Sequence, residues 1–339
     1  MKAWQKGLLG AAGTAGYVRW MDRRNSSRPR PPLRDLDGEE IRTGRFTYRD
    51  GHTVPCVDRG TGPPVILVPG ADGVVDTFRY QIPRFSGAFR VVCAGLRSRF
   101  GPEDTFDRFA EDLRELIRGR GTGPVVLLGQ SLGGAIAMRF ASRHPDLVRA
   151  LVLSNTLTRY TWEHVGLNRT ALVPVAQATT RYLPAPLARA AAYGWARAEV
   201  WMFDDSPGSD KLVDYVMNWG PRTVSSAVGS RRVDLLRKYG DLRPELPSIE
   251  APTLVVKGER DAYCPPEWSR EIADLIPRAR YVPIPETGHC SHVSMPGLFN
   301  DVVMAWLTGS SPRGRPPARD PGGGPGTGAR GAREEPRGP

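Results

Sequence analysis

The sequence predicts an α/β fold, a mostly parallel central sheet with helices on both faces and a helical lid inserted into it. Three observations carry this. Short runs rich in β-branched residues or leucine recur along the chain at Val65–Val68, Arg90–Leu96, Val125–Leu128, Ala150–Leu153, Thr253–Lys257 and Ala279–Ile284. Such near-continuous apolar runs are what strands buried on both faces look like. Between them the period changes to that of a helix: Phe106, Phe109, Leu113, Leu116 and Ile117 share one face of 104–118, and Ala135, Ile136 and Phe140 share another. Alternation of the two patterns predicts parallel strands joined by covering helices. The third observation is a gap in the rhythm. From Leu157 to Leu246 there are helical patterns, prolines and four of the eight tryptophans, but no clear strand.

Each remaining element follows from composition. Phe46–Val57 carries Asp50-Gly51 between two β-prone segments, a hairpin signal. The net charge of +11 is concentrated at the ends: residues 1–34 supply +7 and residues 309–339 supply +3, which leaves the body near +1. No basic stripe with interleaved aromatics is left to line a nucleic-acid groove, so a DNA or RNA partner is not expected. Residues 1–34 read as a basic segment and linker. Their Gly/Ala-rich stretch Gly7–Val18 is too short to span a bilayer, which takes about 20 residues. It allows either a weak membrane-surface contact through residues 1–24 or a capping helix or frayed tail. The Gly/Pro/Arg composition of 309–339 predicts disorder. The expected division is therefore a core of 35–156 and 247–308, with 157–246 as lid. Cys56, Cys93, Cys264 and Cys290 form no CxxC pair, so no metal site is indicated and a reducing, cytoplasmic setting is the default.

The chemistry is concentrated at Gly129-Gln130-Ser131-Leu132-Gly133-Gly134, between a predicted strand and a predicted helix. Small residues two places either side of a serine permit a tight strand-to-helix turn that lifts the hydroxyl above the sheet. The Leu132 N–H then lies at a helix N-terminus, where it can meet an oxyanion. A serine hydroxyl needs an imidazole to take its proton, and the imidazole needs a carboxylate to fix its tautomer. Asp261 is preferred to Glu259 as that carboxylate because it lies later in the loop leaving its strand. His289, after Gly288, is preferred to His292 as the base. His52, His144 and His164 lie outside the expected site loops. The order Ser, Asp, His suits this architecture.

With these motifs in order, residues 45–308 resemble the α/β-hydrolase superfamily. Ile66-Leu67-Val68-Pro69-Gly70 stands where that family has a strand ending in His-Gly. Asp241–Ile249 resembles its return from lid to core, Thr253–Asp261 its acid strand, and Glu286-Thr287-Gly288-His289 its histidine loop. The resemblance implies a serine hydrolase that cleaves an ester-type bond of a small apolar substrate through an acyl-enzyme, without a cofactor. It also implies a second oxyanion donor after the 65–68 strand, at the Ala71 N–H. Two departures stand out: Pro69 and Asp72 at the oxyanion loop, and Cys93–Phe100 without the family's Asp and Gly-x-Gly turn. They leave open a non-catalytic binding role like that of maspardin-type relatives, and acyl transfer is a further alternative. Trp162, Trp195, Trp201 and Trp219 are expected either to wall an apolar pocket or to pack the lid. Cys264 and Cys290 lie on the two loops the triad joins, where they are either two buried thiols or a pair within disulfide reach.

Overall fold

A computed structural model describes residues 3–159 and 167–310. Eight strands form one sheet: β1 (Gly44–Thr47), β2 (Thr53–Arg59), β3 (Pro64–Val68), β4 (Arg90–Ala94), β5 (Val125–Gln130), β6 (Val148–Ser154), β7 (Thr253–Gly258) and β8 (Ala279–Ile284). Their order is β1-β2-β4-β3-β5-β6-β7-β8. The predicted hairpin forms the antiparallel edge, because β2 pairs antiparallel with both β1 and β4, and every later pairing is parallel.

The central strands alternate their side chains between two cores, as the period of two requires. Ile66, Val68, Leu127, Leu153 and Val255 join one cluster under α3 (Asp107–Gly119), α4 (Leu132–Arg143) and α9 (Pro266–Leu275). Val65, Leu67, Leu128, Val152 and Leu254 join the other, beneath α2 (Gln81–Phe85) and α11 (Pro296–Thr308). Both faces of the central strands β3 to β7 are thus dry, while the edge strands β1 and β8 are partly exposed. All the expected strands form; four outrun the apolar run that marks them by one to three residues, β8 matches its run, and β4 stops two residues short.

The segment between β6 and β7 holds α5 (Leu167–Tyr182), α6 (Ala185–Arg197), α7 (Ser209–Asn218) and α8 (Ser226–Tyr239) among the described residues. Ala188, Ala192, Ala196, Phe203, Leu212 and Tyr215 give this region an apolar centre of its own. Trp162 and His164 lie outside the described residues, as does all of the C-terminal tail beyond residue 310.

The N-terminal segment takes the capping-helix alternative and not that of a frayed tail, and the linker after it is anchored. Ala3–Ser26 is one helix, α1. Val18 and Asp22 are half-buried and Met21 and Asn25 buried, the i, i+3, i+4, i+7 pattern of a docked face. Asn25 donates to the Arg181 carbonyl at 2.9 Å, and the Ser226 hydroxyl donates to Asp22 at 2.9 Å, so α1 is fastened to the lid. Residues 28–34 also pack on the body: Leu33 is buried, and the Trp219 indole N–H donates to the Pro31 carbonyl at 3.0 Å.

Candidate active site

Strand β5 ends in Gln130, and the chain turns at Ser131 with φ 53° before entering α4. A non-glycine residue in this region is strained and persists only where its surroundings over-determine it. Here the surroundings are tight. A Cβ on Gly133 would sit 2.1 Å from the Val68 carbonyl oxygen, and one on Gly129 would sit 2.3 Å from that of Gly133. Thr156 donates to the Ser131 carbonyl at 2.7 Å and holds the turn from the β6 side.

The three residues picked out in the sequence meet. Ser131 Oγ lies 3.0 Å from His289 Nε2, and His289 Nδ1 lies 3.1 Å from Asp261 Oδ2. The hydroxyl can pass its proton to Nε2 when Nδ1–H donates to Asp261. All three are buried. Glu259 is exposed, as a solvated charge would be. His292 is also buried but turns away: its Nε2 meets Thr77 Oγ1 at 3.2 Å, and its ring packs beside Phe78 and Phe299. Burial pushes its pKa down to about 3, so it stays neutral and structural.

Asp261 is the most heavily bonded carboxylate of the site. Its Oδ1 accepts the backbone N–H groups of Tyr263 at 2.9 Å and Cys264 at 2.8 Å. Its Oδ2 accepts Asn155 Nδ2 at 3.1 Å and the Lys257 ammonium, besides His289. Burial alone would raise its pKa, but the Lys257 charge, the imidazole and these donors outweigh it and hold the carboxyl well below the usual carboxylate range. Asn155, at φ 47° just after β6, also donates to the Gly288 carbonyl at 2.8 Å and so ties acid loop to base loop. Asp204, from the lid, accepts the Gly288 N–H at 2.7 Å.

The departures at the entrance have structural partners. The Tyr215 hydroxyl donates to Asp72 Oδ2, and burial raises the Asp72 pKa, which favours a neutral carboxyl and blunts a charge that would oppose an oxyanion. Arg232 of α8 donates to the carbonyls of Ala71 at 3.0 Å, Asp72 at 2.6 Å, Leu96 at 2.7 Å and Arg97 at 3.0 Å. One lid side chain therefore braces both unusual loops. Arg97 in turn forms a buried ion pair with Asp112 at 2.6 Å. The sequence reading missed Lys257, Asn155 and Arg232. A lysine inside an otherwise apolar strand run was the one visible signal.

A cavity of about 400 Å³ opens over Ser131 and His289. Trp201, Met202, Tyr263 and Cys290 contribute apolar wall, while α5 and α8 present Gln177, Thr180, Ser230, Asp234 and Arg237. Of the three tryptophans described in the lid, Trp201 lines the cavity. Trp195 donates to Thr179 Oγ1 at 2.8 Å and Trp219 packs under Arg79, so both serve lid packing. All four cysteines are buried thiols, and Cys264 and Cys290 form no disulfide.

The comparisons agree with this geometry. A sequence model of the alpha/beta hydrolase fold family matches residues 63–296. Polyketide synthase ThaQ of Burkholderia thailandensis is 30% identical over 255 residues, 73% of this chain, which spans 12% of that synthase. The AB hydrolase superfamily protein YisY of Bacillus subtilis is 25% identical, over 77% of this chain and 97% of its own. Among solved structures, a membrane phospholipase A superposes with a TM-score of 0.64 at 22% identity, covering 91% of this chain and 99% of that one. The chain belongs to the α/β-hydrolase family. Within that family its assembled Ser131–His289–Asp261 cluster has the arrangement of a serine hydrolase.

Proposed function

We propose that Ser131 is the nucleophile, His289 the general base and then general acid, and Asp261 the carboxylate that orients the imidazole. The observation that carries this is the continuous path from Ser131 Oγ through His289 to Asp261, at 3.0 and 3.1 Å. Attack of Oγ on an ester carbonyl transfers its proton to Nε2 and builds a tetrahedral oxyanion, for which the Leu132 and Ala71 N–H groups are the donors in this reading. Collapse releases the alcohol, protonated by His289, and water then repeats the sequence on the acyl-enzyme. The core comprises 35–156 and 247–308, with 157–246 as lid.

The substrate is a small ester whose apolar acyl chain rests on Trp201, Met202 and Tyr263, its polar part meeting α8. The protein works in the cytoplasm, without a nucleic-acid partner and with a membrane-surface contact through residues 1–24. Exposed Tyr17 and Trp20 beside exposed Arg19, Arg23 and Arg24 support that contact. No described helix is long and apolar enough to cross a membrane. A fluorophosphonate should label the wild type and leave Ser131→Ala unlabelled, and a p-nitrophenyl ester series should peak at medium chain length. A peak for acidic or sugar esters would refute the substrate assignment.

A further inference from the structure

Lys257 stands next to last in β7, wholly buried, four residues before the triad acid. Its ammonium donates to Asp261 Oδ2 and to the Cys264 carbonyl. The first bond falls on the same oxygen that accepts His289 Nδ1 and Asn155 Nδ2. A lysine pays heavily for leaving water unless its charge is used. No proton transfer of ester hydrolysis needs to pass through this one, since its bonds go to Asp261 and the Cys264 carbonyl and not to Ser131 or His289.

We propose that Lys257 is a positioning residue for the triad: it fixes the Asp261 carboxylate and shares its charge, so that the base works at lower pH than an uncompensated acid would allow. The proposal rests on the triad assignment above. In the resting site, one lysine cation and one aspartate anion balance. Protonation of His289 then places a second cation on the oxygen that already holds the first. Two like charges bonded to one oxygen repel each other, and a buried site screens that repulsion less than water does.

The other groups around the pair do not supply this balance. Asn155, Ser131 and Cys264 are neutral donors or acceptors, and the Tyr263 ring packs on His289 with centroids 4.9 Å apart. Cys290 and His292 follow on the base loop, and burial keeps both neutral. Asp204 brings a carboxylate to the Gly288 N–H, and Asp72 is capped by Tyr215 across the cavity. Lys257 is the one permanent cation bonded to Asp261 among the described residues.

The test is the pH profile of kcat/KM for a p-nitrophenyl ester, with full-length wild type and Lys257→Met. The acid limb of the variant should move up by about one pH unit or more, while fluorophosphonate labelling at pH 8 persists. A variant that stays active with an unmoved acid limb overturns the proposal, because a purely structural lysine would change rate or stability without moving the profile. Should Lys257→Met fail to fold, Lys257→Gln keeps a donor without the charge and must show the same upward shift. Wild type that takes no fluorophosphonate label at all overturns the triad assignment itself, a separate result from an unmoved limb.

Discussion

Ser131 and Asp261 rise from the ends of β5 and β7, strands buried on both faces of the sheet, and His289 follows the edge strand β8. The lid opposite them has a smaller apolar centre and is clamped, besides, by arginines. Arg181 donates to the carbonyls of Val224 and Pro221, Arg222 to those of Thr180 and Leu183, and Arg232 to four more across the two entrance loops. Burial of apolar area is non-directional and spread over many contacts. Guanidinium-to-carbonyl clamps are directional and few, and each loss strands several buried acceptors at about 1–3 kcal/mol apiece. The floor should therefore tolerate the loss of single apolar contacts, and the lid should fail one clamp at a time.

The largest effect belongs to the floor. Ser131→Ala should lower kcat/KM about a thousandfold or more with the melting temperature nearly unchanged, and His289→Ala and Asp261→Asn should fall in the same range. His292→Ala should keep most turnover; if it instead matched His289→Ala, the base would be misassigned. Next comes Arg232→Met, which releases the Ala71 and Asp72 carbonyls. A fall in kcat of about 10- to 100-fold is expected, with a smaller change in KM, because an oxyanion donor is felt in the transition state. Hydrogen exchange should speed up in α8 and residues 71–73 and 96–97, while β5–β7 stay protected. Equal loss of protection throughout the sheet would erase the distinction between floor and lid.

A third change strikes the floor where packing leaves no slack. Gly133→Ala places a methyl against the Val68 carbonyl and should cost on the order of 2–4 kcal/mol in denaturant unfolding, more than most surface lid substitutions. The smallest effect concerns acid. His292 has its pKa depressed from 6.5 to about 3 by burial, so the unfolded chain takes up a proton that the folded chain refuses. Its contribution to stability is complete above pH 6.5 and is lost as pH falls from there toward 3, at about 1.4 kcal/mol per pH unit. His292→Leu should cost about 1 kcal/mol at pH 7 through the lost Thr77 bond, yet flatten the decline between pH 6 and 4. An unchanged slope, read from unfolding midpoints against pH, would mean that another group sets the acid response.

The same contrast explains what could be read from the sequence. Strands such as Val125–Leu128 and Thr253–Lys257 announced themselves because burial on both faces leaves an unbroken apolar run. The serine turn was legible because its glycines answer to backbone contacts a few residues away. Arg232 left no such trace: its partners are carbonyl oxygens some 135 to 161 residues distant, which any residue can supply. Asn155 left none either, because its partners, Asp261 and the Gly288 carbonyl, lie 106 and 133 residues away. The inward face of α1 at 18, 21, 22 and 25 was present in the sequence but mixed with glycine, alanine and arginine, which left a capping helix and a frayed tail equally open.

Two potential nucleophiles border the cavity, Ser131 and Cys290, and their intrinsic reactivities run against the serine. Burial raises the Cys290 thiol well above its ordinary pKa, and the same holds for Cys93 deeper in the sheet. Thiolate, the form that attacks electrophiles, is therefore scarce at any working pH. The hydroxyl has an imidazole within reach and the thiol is left in its dormant form. For covalent inhibitors this sets the selectivity of the native site: acylating and phosphonylating agents should find the serine, and thiol-directed reagents or mild oxidants should leave turnover intact until the fold opens.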